Sequence, residues 1–239
     1  MLLSTVMLSV ETTRRCNLTC AHCMRGDAQE VDLDPTKTIS FMKDLTFVNK
    51  LLITGGEPFM MPHIITQLVM FMKSLKVHLG HFGIVTNGWH YSPEVLRAVT
   101  DLYDLCKDKG FCYVIMSNDN YHFTPNPAVH LEMLKILPGF SKEIYDRDPE
   151  IIAEGRALNI GNTTVEEMLG PPKMAELTDG YYIENKGLTL NAKGELVWGG
   201  DHSYENQSKH VICNVTDGVD ILIERLLEME RKQTTSLVV

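Results

Sequence analysis

The chain has 239 residues, of which 44% are hydrophobic, and its formal net charge is −9 at pH 7. This length allows one sizeable domain with a full core and a small appendage. The acidic balance gives no bulk attraction to phosphates, so bulk nucleic-acid binding is disfavoured. Six cysteines in a chain this long do not indicate a disulfide framework, and no apolar run reaches the length of a membrane span. We therefore expect a cytoplasmic protein with no membrane partner.

The first half of the sequence alternates short apolar runs with amphipathic segments. Strands are predicted over Leu3–Glu11, Lys50–Thr54, His81–Thr86 and Phe111–Met116. Helical stripes begin at Asp34, Met61 and Ser92. This alternation is typical of a parallel sheet with helices outside it. The loops that follow the strands should therefore share one edge of the sheet, which is where such proteins bind ligands.

Three cysteines, Cys16, Cys20 and Cys23, follow the first predicted strand with C-x3-C-x2-C spacing. Three thiolates in one loop can converge on one metal centre. A closed structural zinc site takes four ligands, and so does a fully protein-ligated iron–sulfur cube. Three thiolates leave one position open, where a substrate can bind. The alternative interpretation is a zinc site completed by His22 or another residue.

Each of the next three predicted strands ends in a short polar motif. The motifs are Gly55–Pro58 (Gly-Gly-Glu-Pro), Thr86–Gly88 (Thr-Asn-Gly) and Ser117–Asp119 (Ser-Asn-Asp). Paired glycines let the backbone approach a ligand closely, and Glu57 can accept hydrogen bonds from an ammonium group. The alternatives are a plain glycine turn and ordinary loop capping.

Taken together, the cysteine spacing and these motifs resemble the radical S-adenosylmethionine (radical SAM) superfamily over roughly the first 120 residues. The resemblance implies an α/β fold, a partial (β/α)6 barrel. It also implies one [4Fe–4S] cluster on Cys16, Cys20 and Cys23, with S-adenosylmethionine on the fourth iron. An electron donor such as a flavodoxin or ferredoxin is implied as a partner. The implied cofactor-binding residues are His22, Gly55, Gly56, Glu57, Pro58, Thr86, Asn87, Ser117 and Asn118.

The pattern weakens after about residue 120, where prolines interrupt it. A fifth and a sixth strand are expected by about residue 180 or just after, with Ile151–Leu158 as one candidate region. A hairpin is predicted over Gly187–Trp198, and an amphipathic helix after Asp217. We expect a barrel domain over 1–185 and a C-terminal hairpin and helix over 186–239.

The remaining cysteines are Cys106, Cys112 and Cys213. The first two lie in apolar patterns and are expected in the core. The region of Cys213 resembles a degenerate SPASM or twitch extension of peptide-modifying radical SAM members. One cysteine cannot hold a second cluster, so none is expected. A buried structural thiol is the favoured interpretation of Cys213, and the alternative is a hydrogen-atom donor to a substrate radical.

The resemblance also implies the reaction. S-adenosylmethionine would be cleaved reductively to a 5′-deoxyadenosyl radical, which abstracts a hydrogen atom from an organic substrate. A peptide or protein side chain is the favoured substrate, because His22 before the third cysteine is common in the peptide-modifying branch. The alternatives are a small-molecule or nucleotide-precursor rearrangement, glycyl-radical enzyme activation, and a non-catalytic metal-binding module.

Overall fold

The computed structural model describes residues 1–117, 121–122, 127–140, 151–160, 172–185 and 187–236. The strands are β1 (Leu2–Glu11), β2 (Leu45–Thr54), β3 (His78–Thr86), β4 (Tyr113–Met116), β5 (Met174–Leu177), β6 (Gly180–Ile183), β7 (Leu188–Leu190), β8 (Glu195–Val197) and β9 (Val211–Asn214). The helices are α1 (Ile39–Met42), α2 (Pro62–Ser74), α3 (Pro93–Leu105), α4 (Pro127–Leu134) and α5 (Gly218–Ser236). Short 3-10 helices lie at Pro35–Thr38, Pro58–Met60, Lys109–Phe111, Gly155–Asn159, Asn206–Lys209 and Val215–Asp217.

Four parallel strands form the first half of the sheet, in the order β4-β3-β2-β1. Glu11 pairs with Thr54, and Thr86 pairs with Met116, so the carboxyl ends of neighbouring strands meet at one edge. Many apolar side chains of these strands, such as Leu8, Ile53 and Ile84, are fully buried in the core. The sequence therefore places its polar motifs along one edge, as the alternation of strands and helices predicts.

The other side of β1 is occupied by strands from the C-terminal half. β6 pairs in parallel with the first residues of β1, and β7 pairs in parallel with Leu8–Val10. β8 and β9 continue the sheet antiparallel, while β5 pairs antiparallel with β6. Among the described strands the sheet is not closed, and the predicted class, an α/β fold with a partial barrel, is confirmed. The predicted hairpin corresponds to β7 and β8, and the predicted closing helix to α5.

Two local predictions were wrong. The helix that starts at Asp34 is short and ends at Met42, because Leu45 already pairs with Leu3 in the sheet. Ile151–Leu158 contains no strand, since a 3-10 helix begins at Gly155, whose φ of +55° is incompatible with extended backbone. The short strands near residue 180 instead pair with each other and with β1.

The core contains the two cysteines expected there, Cys106 and Cys112, both of which are buried. In the described part of the chain, no helix is both long and apolar enough to cross a bilayer. The predicted boundary at 185/186 falls between β6 and β7, which both pair with β1. The two-domain division stays a prediction.

The centre of the parallel sheet should be sensitive to loss of volume. Leu51 on β2 is 1% exposed. We expect Leu51→Ala to lower the free energy of unfolding by about 2–5 kcal/mol, because it leaves a cavity. Urea unfolding followed by circular dichroism measures this change. Leu177→Ala, at a 49% exposed position on β5, is the matched control, with an expected change within about 0.5 kcal/mol. Equal losses in the two variants would contradict the packing assignment.

Candidate active site

A cavity of about 250 Å³ opens at the carboxyl edge of β1–β4. All three cysteines of the motif line it, and each is half-buried. The cavity also contains most of the predicted cofactor-binding residues, which come from the strand ends and from the loop between β1 and α1 (residues 12–33, here called the cysteine loop). They are His22, Gly55, Gly56, Glu57, Thr86, Asn87 and Ser117.

Two predicted site residues lie outside the cavity, and a third is not among the described residues. Pro58 is buried at the start of a 3-10 helix and does not line the cavity. Cys213 is 2% exposed in the core on β9, and burial raises its pKa to about 12. It does not line the cavity, and a buried structural thiol stays the favoured interpretation. Asn118 lies outside the described residues.

The cysteine loop is closed at its neck by hydrogen bonds between its two arms. The Arg14 amide donates to the Val31 carbonyl at 2.8 Å, and the Gln29 amide donates to the Arg14 carbonyl at 3.0 Å. Inside the loop, the Cys23 amide donates to the Cys20 carbonyl at 3.2 Å. These bonds fix a tight turn that keeps the second and third cysteines near each other on the cavity wall.

The sulfur of Cys16 has polar neighbours from two directions. The Leu18 amide donates to it at 3.5 Å, and the Asn87 side-chain amide lies 4.0 Å away. Burial raises the pKa of the Cys16 thiol above its ordinary value. A bound metal displaces that proton, because the thiolate is the ligand.

The donor set fits an iron–sulfur cluster. In a cubane cluster each cysteine binds a separate iron. Cys16, Cys20 and Cys23 are three soft sulfur ligands that line one cavity, and such ligands suit iron–sulfur binding.

Both glycines of the Gly-Gly-Glu-Pro motif are required by the cysteine loop itself. A Cβ on Gly55 would lie 2.4 Å from the Thr13 carbonyl oxygen, and one on Gly56 would lie 2.2 Å from the Arg15 carbonyl oxygen. The Gly56 amide donates to the Thr13 carbonyl at 2.8 Å. The sequence interpretation assigned the glycines to close approach of a ligand, whereas here they allow close approach of backbone to backbone.

Glu57 connects the ends of two strands. Its carboxylate, 1% exposed, accepts from the Thr86 hydroxyl at 2.7 Å, the Asn87 amide at 2.7 Å and the Phe59 amide at 3.1 Å. Burial raises its pKa to about 7 despite these hydrogen bonds. Most of its acceptor sites are occupied, so Glu57 chiefly positions the end of β3.

Several residues that line the cavity were not predicted from the sequence. Arg14 and Tyr204 line the cavity, and neither was singled out. Arg156 also lines the cavity, and its guanidinium donates to the Asp27 carboxylate at 3.2 Å. The Glu11-x-x-Arg14 spacing before the first cysteine is a signal that could have identified Arg14. No sequence pattern around Tyr204 indicates that it lines the cavity.

Residues 10–109 of this chain match the family model described as the Radical SAM superfamily. The cofactors of that superfamily are a [4Fe–4S] cluster and S-adenosylmethionine. No curated protein matches the chain.

Two solved structures are among those to which this chain is similar. SuiB from Streptococcus suis, bound to precursor peptide SuiA, is 17% identical with a TM-score of 0.35. The match covers 56% of this chain and 28% of SuiB, so this chain spans under a third of that protein. Native anSMEcpe with bound AdoMet and Cp18Cys peptide is 13% identical with a TM-score of 0.45, covering 96% of this chain and 82% of the other.

The raised pKa of Glu57 predicts a pH dependence of stability. The folded state holds the Glu57 proton between pH 4.5 and about 7, where the unfolded chain has lost it. The free energy of unfolding of the metal-free protein should therefore fall as pH rises through this window. Glu57→Gln should remove this part of the slope, measured by urea unfolding at several pH values. Glu228→Gln on the exposed face of α5 is the control, and an unchanged slope in Glu57→Gln would contradict the assignment.

Proposed function

We propose that this protein is a radical SAM enzyme that cleaves S-adenosylmethionine reductively and uses the resulting radical to abstract a hydrogen atom from an organic substrate. The observation that carries the proposal is the shared cavity. Cys16, Cys20 and Cys23 line the same 250 Å³ space as the ends of β2, β3 and β4. A purely structural metal site would not need an open cavity beside its ligands.

The three cysteines would hold a [4Fe–4S] cluster through three of its irons. When bound, the cluster supplies the electron that breaks a carbon–sulfur bond of S-adenosylmethionine, giving methionine and a 5′-deoxyadenosyl radical. The chain's own contribution is to hold the thiolates, orient the cofactor and exclude water. Its proposed redox partner is a one-electron donor such as a flavodoxin or ferredoxin, because the cleavage consumes one electron.

The side-chain hydrogen bonds at the strand ends distinguish two kinds of residue. Some side chains bond to other parts of the protein and position the site, and others can contact a ligand. The Thr86 hydroxyl donates to Glu57 and accepts from the Gly88 amide at 3.0 Å. The Asn87 side chain bonds Asn17 at 2.9 Å and accepts from the Trp89 amide at 3.0 Å. The Ser117 hydroxyl lines the cavity and makes no hydrogen bond within the described part of the chain. We assign Ser117 to the cofactor and Thr86 and Asn87 to positioning.

For the substrate we propose a peptide or protein side chain. The support is the hairpin of β7 and β8 after the barrel strands, which resembles a degenerate form of the extension in peptide-modifying members. His22 adds to this, because it occupies the position before the third cysteine and lines the cavity. Its ring contacts those of Tyr121 and His122, at centroid distances of 5.1 and 4.6 Å, so it also connects the cysteine loop to the segment after β4.

Reconstitution with iron and sulfide under anaerobic conditions tests the reaction. We expect brown protein that forms 5′-deoxyadenosine from S-adenosylmethionine and dithionite, measured by chromatography. Cys20→Ala should abolish this product, since two thiolates cannot hold the cluster in the active position. Cys106→Ala, which removes a buried thiol outside the cavity, is the matched control and should retain product formation. Colourless, zinc-loaded wild-type protein would indicate a non-catalytic metal-binding module.

The substrate class requires a separate measurement. We would incubate the active protein with a library of synthetic peptides and follow their masses. A mass change, or deuterium transfer from a labelled peptide into 5′-deoxyadenosine, is the expected result. If only small molecules transfer deuterium, the peptide assignment is wrong while the radical chemistry stands.

A further inference from the structure

The segment from His202 to His210, here called the cover segment, lies against the cysteine loop although it comes from the far end of the chain. The Tyr204 amide donates to the Arg25 carbonyl at 3.0 Å. In return, the Arg25 guanidinium donates to the His202 carbonyl at 2.7 Å. Two hydrogen bonds therefore join the backbone of the cover segment to the residues just after Cys23.

A buried ion pair lies behind these contacts. Arg14 donates from Nε to Glu11 at 2.7 Å, and both side chains are at most 1% exposed. The other guanidinium nitrogens donate to Gln29 at 3.0 Å and to Gln207 at 2.5 Å. A buried charge of this kind is tolerated only when its partners satisfy it. Arg14 thus bonds the end of β1, the cysteine loop and the cover segment together.

Glu11 completes the network from the other side. Its carboxylate accepts from the Arg14 guanidinium, from the Gln207 side chain at 2.9 Å and from the Ala192 amide at 3.1 Å. Gln207 is therefore held by both members of the ion pair, through its oxygen and its nitrogen. Such a two-point contact fixes the position of the cover segment more narrowly than a single bond.

Tyr204 is the residue that this network brings to the cavity. Its ring packs 4.5 Å from the Arg14 guanidinium, and it is 5% exposed. Its hydroxyl makes no hydrogen bond to any part of the chain that the structure describes, and the residue lines the cavity. Tyr204 is thus a rigid wall of the space that the three cysteines share.

We propose that Arg14 is a positioning residue that holds the cover segment on the cysteine loop through Gln207, and that Tyr204 shields the bound cluster from solvent. The proposal rests on the proposed function only in that the cysteines hold an iron–sulfur cluster. Under this proposal the C-terminal extension protects the single cluster and does not need to bind a second one. Because solvent exposure affects both the lifetime and the reduction potential of such clusters, loss of the cover segment should alter both.

The test is Gln207→Leu in the full-length, reconstituted protein. This change keeps the side-chain volume and leaves Arg14 and Glu11 paired with each other, while it removes the two hydrogen bonds between Gln207 and the ion pair. We expect the cluster's half-life in air, followed by visible absorbance, to fall roughly tenfold, by analogy with the 10–100-fold losses of metal affinity that follow mutation of outer-shell partners. The midpoint potential of the cluster should shift, and amide exchange at Tyr204 should accelerate.

Two further variants make the result specific. Gln67→Leu, the same change on the exposed face of α2, should keep the wild-type half-life. Tyr204→Leu should shorten the half-life, because it removes the aromatic wall and its contact with Arg14. If Gln207→Leu does not fold, as judged by circular dichroism, Tyr204→Leu decides the question alone.

Wild-type half-life and potential in folded Gln207→Leu and Tyr204→Leu would overturn the proposal. A shortened half-life together with a shifted midpoint potential, in variants that circular dichroism shows to be folded at the assay temperature, would support it. The two proposals fail separately. A wild-type protein that binds the cluster but forms no 5′-deoxyadenosine would refute the enzyme assignment. The half-life measurement would still test the role of the cover segment.

Discussion

Two backbone hydrogen bonds between the end of β2 and the start of the cysteine loop are the contact on which the site depends. The Gly56 amide bonds the Thr13 carbonyl, and the Glu57 amide bonds the Arg15 carbonyl. Only glycine at positions 55 and 56 permits this approach, since a Cβ would overlap the loop backbone. From there the Glu57 carboxylate extends the connection to the end of β3. The ends of three strands are therefore joined in a continuous hydrogen-bonded path beside the first cysteine.

The cysteine loop is held from its other side by segments that come much later in the chain. The Arg156 amide donates to the Cys23 carbonyl at 3.0 Å, and Gly155 packs against Met24 and Gly26 too closely for any side chain. The cover segment adds its two bonds at Arg25. The loop is thus clamped between the parallel sheet and the C-terminal half, which limits the positions that its thiols can adopt. Such preorganisation lowers the cost of ordering ligands when a metal group binds.

The parts of this structure that the sequence predicted are those governed by local rules. β1, α3 and the hairpin follow from apolar periodicity and from cap residues such as Ser92, whose hydroxyl accepts from the Val95 amide. The cavity could be placed because parallel strands bring their carboxyl ends together. The end of α1 could not be predicted, because Leu45 fits a helical stripe as well as a strand and only pairing with Leu3 decides between them. Tyr204 and Gln207 were missed for a related reason, since their partners are distant in sequence and no spacing reports them.

The distance along the chain between the loop and its clamp has a consequence for biosynthesis. Arg14 and Gln207 are 193 residues apart, and the ribosome makes the amino-terminal partner first. While the chain is being translated, the three thiols emerge long before the residues that fix their arrangement exist. Iron delivered at that stage would meet a loop with only half of its supports. Cofactor assembly in the cell should therefore follow, not accompany, synthesis of the polypeptide.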